Sequence, residues 1–424
     1  MSLRTPEVVS TPGKKSDLAD THNRRWAIGF LIAAVVVWLF YTFLLPHLGV
    51  GVNTTVRQWM PLNSINEALV WVICAVGLNI VVGYAGLLDL GFVAFWAIGG
   101  YTAGWLMSTF IQAVNPGFYF LSAAIPNQPG IHLNWWLVLV IAGCICAGSG
   151  IVIGAPTLRL KSDYLALVTL GFGEIIPQIF LNAKTFTNGA LGIAPLDNIS
   201  ALPFGPSTIK VGGATLAISK PLGPFDVTTK YVCFAIVAAF CVFVSLRILE
   251  GRLGRAWLAI REDELAASMM GVPLMQTKLA AYAVGAFMGG LGGVVYAVHN
   301  NSVFPDRFNF AISIILLAMV VLGGMGNVWG VMIGALLIAW FNSTGLPQFG
   351  NSFNSQFGTD INFPSYNFLI FGAILVLMML FRREGLLPET RTRQVLQEPE
   401  RTGVESLGAD LEGEVEPARD GDAR

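Results

Sequence analysis

Residues 26–45 read WAIGFLIAAVVVWLFYTFLL, twenty consecutive positions without a charge, the length an α-helix needs to cross a lipid bilayer. In lipid a spanning segment must satisfy its own backbone N–H and C=O groups, so a run of this kind folds as a helix. Ten such runs can be read along the chain, at 26–45, 65–82, 86–110, 135–157, 164–181, 231–249, 276–298, 310–324, 327–345 and 365–381. The sequence therefore predicts an all-α polytopic membrane protein with about ten transmembrane helices, some of them interrupted. Charge agrees with this: the chain holds 25 basic and 26 acidic residues, and fewer than half of them lie within 26–381. An ordinary soluble enzyme carries about 25% charged residues, whereas this chain carries 12%. A net charge of −1 offers no basic field for nucleic acid.

Arg24 and Arg25 stand before the first run as they would in an export signal, but no small-residue cleavage site follows, so the run reads as a retained first helix. An even number of crossings returns both ends to one side. Fifteen Lys and Arg residues near the membrane lie on that side and six on the other, which places both termini in the cytoplasm. Residues 1–25 then form a cytoplasmic segment, 26–381 the membrane domain, 182–230 a long proline-containing outer loop and 250–275 an inner loop. The tail 382–424 turns acidic beyond Pro388, has almost no large apolar residue from Glu398 on, and is expected to be disordered.

Two spans carry chemistry that lipid disfavours. GLNIVVGYAGLLDLGFVAFWAIGGYTAG spreads seven glycines around Asp89, a spacing that serves close helix packing or an interrupted backbone lining a cavity. Span five, DYLALVTLGFGEIIPQIF, has Glu174 near its middle, between glycines and Pro177. An acid at a helix centre costs roughly 2.5–3.5 kcal/mol on insertion scales, so it faces a neighbouring helix, water or a path. The candidates for a translocation path are Tyr84, Gly86, Asp89 and Gly91 in the first segment and Tyr164, Thr169, Gly171 and Glu174 in the second. Gly285, Gly289 and Gly293, and then Gly326, Gly330 and Gly334, recur every four residues and read as close-packing faces. The five cysteines sit in apolar runs and the four histidines are scattered, so no metal site is expected.

The inner loop GRLGRAWLAIREDELAASMMGVPLMQTKLAAY is too charged to span. Glu262 to Met270 reads as a short helix with acids at its start and Gly271 and Pro273 as its stop, a shape that either docks a partner or lies at the membrane surface. Taken in order, GYAGLLDLGFVAFWAIGGYTAG, APTLRLKSDYLALVTLGFGEII, TNGALGI, GRAWLAIREDELAASMMGV and KLAAYAVGAFMGGLGGVVYA resemble the successive motifs of branched-chain amino acid ABC transporter permeases of the LivM type. The resemblance covers about 65–381. It implies that the element holding Arg261, Glu264, Ala266, Ala267 and Gly271 is a coupling helix that docks on an ATP-binding subunit.

It further implies a second, homologous permease, two ATPase subunits and an extracytoplasmic solute-binding protein, in a bacterial cytoplasmic membrane. The chain itself lacks a P-loop: around Gly13-Lys14-Lys15-Ser16, Val8 replaces the first glycine and Lys15 the hydroxyl residue, so no cofactor is expected here and ATP and Mg²⁺ belong to the partner ATPases. No residues for an enzyme's active site can be argued. The function so implied is uptake of branched-chain amino acids by ATP-driven alternating access. Urea and short-amide permeases share the architecture, and in a cation-coupled secondary transporter Asp89 and Glu174 would bind Na⁺ or H⁺.

Overall fold

A computed structural model describes residues 14–47, 50–111, 131–160, 162–197, 199, 208–211, 214–217, 227–358, 360–382 and 385–387. The sequence readings for residues 1–13, for most of 198–226 and for the tail from 388 lie outside these. The apolar runs are helices: α1 (Lys14–Leu39), α2 (Val50–Trp59), α3 (Leu62–Asn79), α4 (Val93–Leu106), α5 (Trp135–Thr157), α6 (Ser162–Asn182) and α7 (Val227–Glu250). The inner loop forms α8 (Arg252–Glu262) and α9 (Glu264–Met269). There follow α10 (Leu274–Asn300), α11 (Phe310–Gly323), α12 (Val328–Trp340), α13 (Leu346–Phe357) and α14 (Asn367–Phe381). Among the described residues nine helical stretches are long and apolar enough to cross a membrane.

The tenth expected span is not one continuous helix. Of 86–109 only α4 is helical, and its 14 residues reach about 21 Å at 1.5 Å per residue. Residues 86–92 ahead of it are non-helical, and 107–108 behind it are a short strand. Local chemistry breaks the helix. Gly86 takes φ +69°, the Asp89 carboxylate accepts the Gly91 N–H at 2.9 Å, and the Leu90 N–H goes to the Thr169 hydroxyl of α6 at 3.1 Å. Ser313 of α11 accepts the Val93 N–H at 3.3 Å. Non-helical backbone is tolerated at membrane depth when protein covers it and supplies such partners. The inner-loop helix also differs from expectation: it is split at Asp263, so α9 starts at Glu264 rather than Glu262.

The core lies where α3, α4, α5 and α10 meet. Lipid tails are as apolar as leucine, so membrane helices associate by close packing rather than by the hydrophobic effect, and small residues let backbones approach. Gly99 of α4 lies on Gly290 of α10, and Gly293 lies against the Trp96 carbonyl. Trp71, Trp96, Tyr296 and Phe308 fill the space beside this seam, with ring centroids 4.6–5.9 Å apart in the contacting pairs.

Beyond α4, β1 (Met107–Ser108) pairs antiparallel with β2 (Ile131–His132). Asp197 closes over them, donating its N–H to the Met107 carbonyl at 2.8 Å and holding the buried His132 ring at 2.7 Å. Burial pushes the Asp197 carboxyl above the usual range, against the opposing pull of His132. Between α6 and α7, β3 (Thr208–Val211) and β4 (Ala214–Ala217) form an antiparallel pair. At the periphery, α1 meets α7 across an apolar groove of about 540 Å³ lined by Phe30, Ala34, Trp38, Ala235 and Phe243. The Tyr231 hydroxyl bridges it to the Ala34 carbonyl at 3.2 Å, and Trp26 stacks on Trp329 at 6.2 Å.

Candidate functional site

The candidate path residues separate into a buried group and an exposed one. Tyr84 ends the π-helical turn Ile80–Tyr84 that follows α3, fully buried, with its hydroxyl 3.2 Å from that of Ser245 on α7. Asp89 is buried, and its Oδ1 holds the Gly91 N–H. The Tyr282 phenol faces this carboxyl, whose Oδ2 lacks a hydrogen bond of normal geometry. Gly91 fits against α6 so closely that a Cβ there would sit 2.2 Å from the Thr169 carbonyl oxygen, and Gly173, one turn further along α6, touches Gly91 as well. Thr169 is buried and serves twice, donating to the Ala166 carbonyl and accepting from Leu90. This group joins the broken segment to α6.

The exposed group is a stripe along α6. Tyr164, Leu167, Gly171, Glu174 and Gln178 follow each other at alternating steps of three and four, which places them on one helix face. Tyr164, Leu167, Glu174 and Gln178 are exposed, and a Cβ on Gly171 would meet no atom within 4 Å. Pro177 offers no N–H to the Gly173 carbonyl four residues before it, which weakens the helix beside the acid. Glu174 makes no hydrogen bond or ion pair with the described residues. None of the described neighbouring helices therefore satisfies it, and a charge left in hydrocarbon is disfavoured.

The inner loop is a built element. Trp257 of α8 is fully buried and its indole donates to the Thr277 carbonyl at 2.8 Å, fixing α8 to the start of α10. Asp263 caps α9 by accepting the N–H groups of Leu265 and Ala266 at 2.8 and 3.1 Å. Gly271 takes φ +83° and ends it. Ala267 faces inward, while Ala266 is exposed. Glu264 turns back to α10, where its Oε1 accepts from the Lys278 ammonium at 2.6 Å; that lysine is only 9% exposed. Arg261 also turns inward, and its Nη1 donates to the Gly83 carbonyl at 2.6 Å.

The outer face is bare and apolar: Leu265, Met269 and Met270 are 73%, 85% and 86% exposed. Full burial of one such side chain is worth about 1.5–3 kcal/mol, so the tip can supply the core of an interface. Met270, Asp263 and Lys278 have no role in the sequence analysis. The cap was legible, because an Asp just before a helix is a capping signal. The pairing of Glu264 with Lys278, fourteen residues away on another helix, was not.

A family model described as "Branched-chain amino acid transport system / permease component" matches residues 60–379. The chain is 33% identical over 382 residues to the "High-affinity branched-chain amino acid transport system permease protein LivM" of Salmonella typhimurium, covering 89% of this chain and 79% of that protein. It is 34% identical over 374 residues to the Escherichia coli protein of the same name, covering 87% and 76%. With the "High-affinity branched-chain amino acid transport system permease protein LivH" of Salmonella typhimurium it shares 24% identity over 280 residues, 65% of this chain and 82% of that protein. No solved structure matches the chain. The matched stretch contains both groups of path candidates and the whole inner loop. The chain belongs to the family of permease components of branched-chain amino acid transport systems.

Proposed function

We propose that this chain is the membrane-spanning permease subunit of an ABC importer, carrying branched-chain amino acids inward by ATP-driven alternating access. The observation that carries the reading is the capped, tethered helix α9, with Leu265, Met269 and Met270 bare at its tip. A chain without a nucleotide motif needs energy from outside, and this tip is an apolar surface of the kind an ATPase subunit covers. The names of the relatives support branched-chain amino acids as cargo, and the likeness to both LivM and LivH supports a second, homologous permease beside this one. An extracytoplasmic binding protein would deliver the solute, and both termini would be cytoplasmic.

The test is uptake of labelled leucine into vesicles holding the chain with its partner permease, ATPase subunits and binding protein. Uptake is expected to require ATP, to survive collapse of ion gradients and to resist competition by urea. Uptake lost with an ion gradient but not with ATP would make the chain cation-coupled, and competition by urea would move the cargo to amides. For topology, reporters fused after Gly212 are expected outside and those after Met270 and Gln394 inside.

Glu174 and its stripe on α6 would line the path at the boundary with the second permease, which offers the unpartnered acid either water or a partner group. Glu174→Gln keeps shape and removes charge. Assembly is expected to stay normal while uptake falls by about tenfold, the effect of losing roughly 1.4 kcal/mol. Wild-type uptake in this variant would return Glu174 to a packing role.

A further inference from the structure

Arg261 sits in the inner loop, yet its side chain is directed away from the bare tip. It lies at the end of α8, half-buried, two residues before the cap of α9. The helix that closes at Tyr84 leaves its last carbonyls without intrahelical donors. Arg261 Nη1 supplies one to Gly83 at 2.6 Å, and a guanidinium there also suits the negative end of the helix dipole. The stem of the same side chain crosses Gly86, where a Cβ would come within 2.9 Å of Arg261 Cγ.

Behind Gly83 stands the turn between α11 and α12. Buried Asn79 accepts the Gly326 N–H at 2.9 Å, and a Cβ on Gly83 would sit 2.7 Å from that same nitrogen. Gly324 and Gly326, at φ +112° and +90°, form the turn between α11 and α12. The broken segment and the α11–α12 turn therefore meet at one point, and the 250–275 loop grips that point with one side chain. Beyond Gly86 the broken segment continues to Leu90 and Gly91, which rest on Thr169 of α6. The chain thus links α9 through its Asp263 cap to Arg261, and direct contacts run from there to the 83–91 segment and on to the helix that carries Glu174.

We infer that Arg261 works inward, as a positioning residue that transmits displacement of α9 to the helix break at 83–91 and through Thr169 to α6. This rests on reading α9 as the ATPase dock. It separates two tasks within one loop: the apolar tip binds the partner, and Arg261 conveys the motion. Interrupted helices suit the second task because their few fixed hydrogen bonds allow two arrangements, whereas packed cores do not deform continuously.

The experiment uses the assembled complex in vesicles and measures three quantities: ATPase subunits retained, ATP hydrolysed and leucine taken up. For Arg261→Gln, retention and hydrolysis are expected to stay within about twofold of wild type, while leucine carried per ATP falls by about tenfold. Arg261→Lys keeps a cation that can reach a carbonyl and should recover part of the loss. Gly86→Ala intrudes on the same contact from the membrane side and should uncouple without changing the loop surface. In the wild-type complex, trapping with ATP and vanadate should alter hydrogen exchange of the 83–92 amides, a readout that requires no variant to fold.

Loss of ATPase retention in step with uptake in Arg261→Gln would make it a docking residue and overturn the inference. Wild-type transport per ATP, or unchanged exchange at 83–92, would overturn it as well. Full ATPase retention in Met269→Asp would instead remove the docking reading beneath it, a result distinguishable from the Arg261 outcomes.

Discussion

Gly99→Val should yield little or no folded protein. A Cβ at Gly99 would lie 2.3 Å from the Gly290 carbonyl oxygen and 2.6 Å from its Cα, both main-chain atoms that cannot rotate aside. The reverse contact is equally close: a Cβ on Gly293 would come 2.2 Å from the Trp96 carbonyl oxygen and 2.6 Å from the Gly100 nitrogen. One methyl forces α4 and α10 apart, and valine adds two more carbons to the clash. Overpacking of a tight core typically costs about 1–3 kcal/mol when side chains can adjust, and a clash with backbone exceeds that. Total stability is only about 5–15 kcal/mol for an ordinary domain, so the loss is a large share of it. Gly148→Ala on α5 is the control, because a Cβ there meets nothing within 4 Å. It should match or slightly exceed wild type, since alanine favours helix over glycine by up to about 1 kcal/mol. Yield of monodisperse protein in detergent and its melting temperature decide the matter. A Gly99→Val protein that melts like wild type would refute the seam.

The second large effect belongs to the tip of α9. Met269→Asp places a charge where a partner would bury a thioether that is 85% exposed in the free chain. Forfeiting about 1.5–3 kcal/mol of burial, at tenfold per 1.4 kcal/mol, should reduce retention of ATPase subunits by about tenfold or more. Leucine uptake should fall with it. The melting temperature of the permease should not change, because the side chain touches little of its own chain. Gly271→Val should act by another route. Its φ of +83° resists a β-branched residue by about 1–2 kcal/mol, although a Cβ there meets no atom. The stop of α9 would shift and carry the tip out of register. Glu264→Lys cannot be a clean probe of docking, since it would set an ammonium against the nearly buried Lys278 and release the loop from α10. Glu264→Gln is the milder change. Normal ATPase retention and normal uptake in both Met269→Asp and Gly271→Val would reject α9 as the coupling element.

Much of the fold is legible in the sequence because lipid allows few solutions: an uncharged run of twenty residues has to become a helix. The third span shows the limit. Its glycine spacing fits a tightly packed helix and a broken one equally well, and what decides between them is the position of the Thr169 and Ser313 hydroxyls on two other helices. The candidate site divides in the same way. Gly271 was readable as a left-handed stop because a glycine after a short helix has few other uses. The directions of Arg261 and Glu264 were not readable, since a charged residue at a helix end can face a partner or its own core with the same letters. Glu174 was visible as an acid in the membrane, but only the packing of α6 shows that, among the described residues, no group meets it.

The attachment of α1 has a consequence for biosynthesis. Its hydroxyl bridge joins Ala34 to Tyr231, 197 residues later in the chain. At roughly 5–20 residues per second, a ribosome takes about 10–40 s to make that stretch. Throughout that interval α1 has neither Tyr231 nor Trp329 to lean on, and it must persist in the bilayer by itself. Its run from Trp26 to Leu45 contains no charged, amide or carboxyl side chain that would require a partner. By contrast, α3 emerges with Asn66 and Asn79, whose acceptor and donor are the Val227 carbonyl and the Gly326 N–H, 161 and 247 residues further on. The order in which partners become available thus falls on different helices with different force: the first helix is built to wait, and α3, whose buried asparagines wait so long for their contacts, is enclosed by the finished bundle.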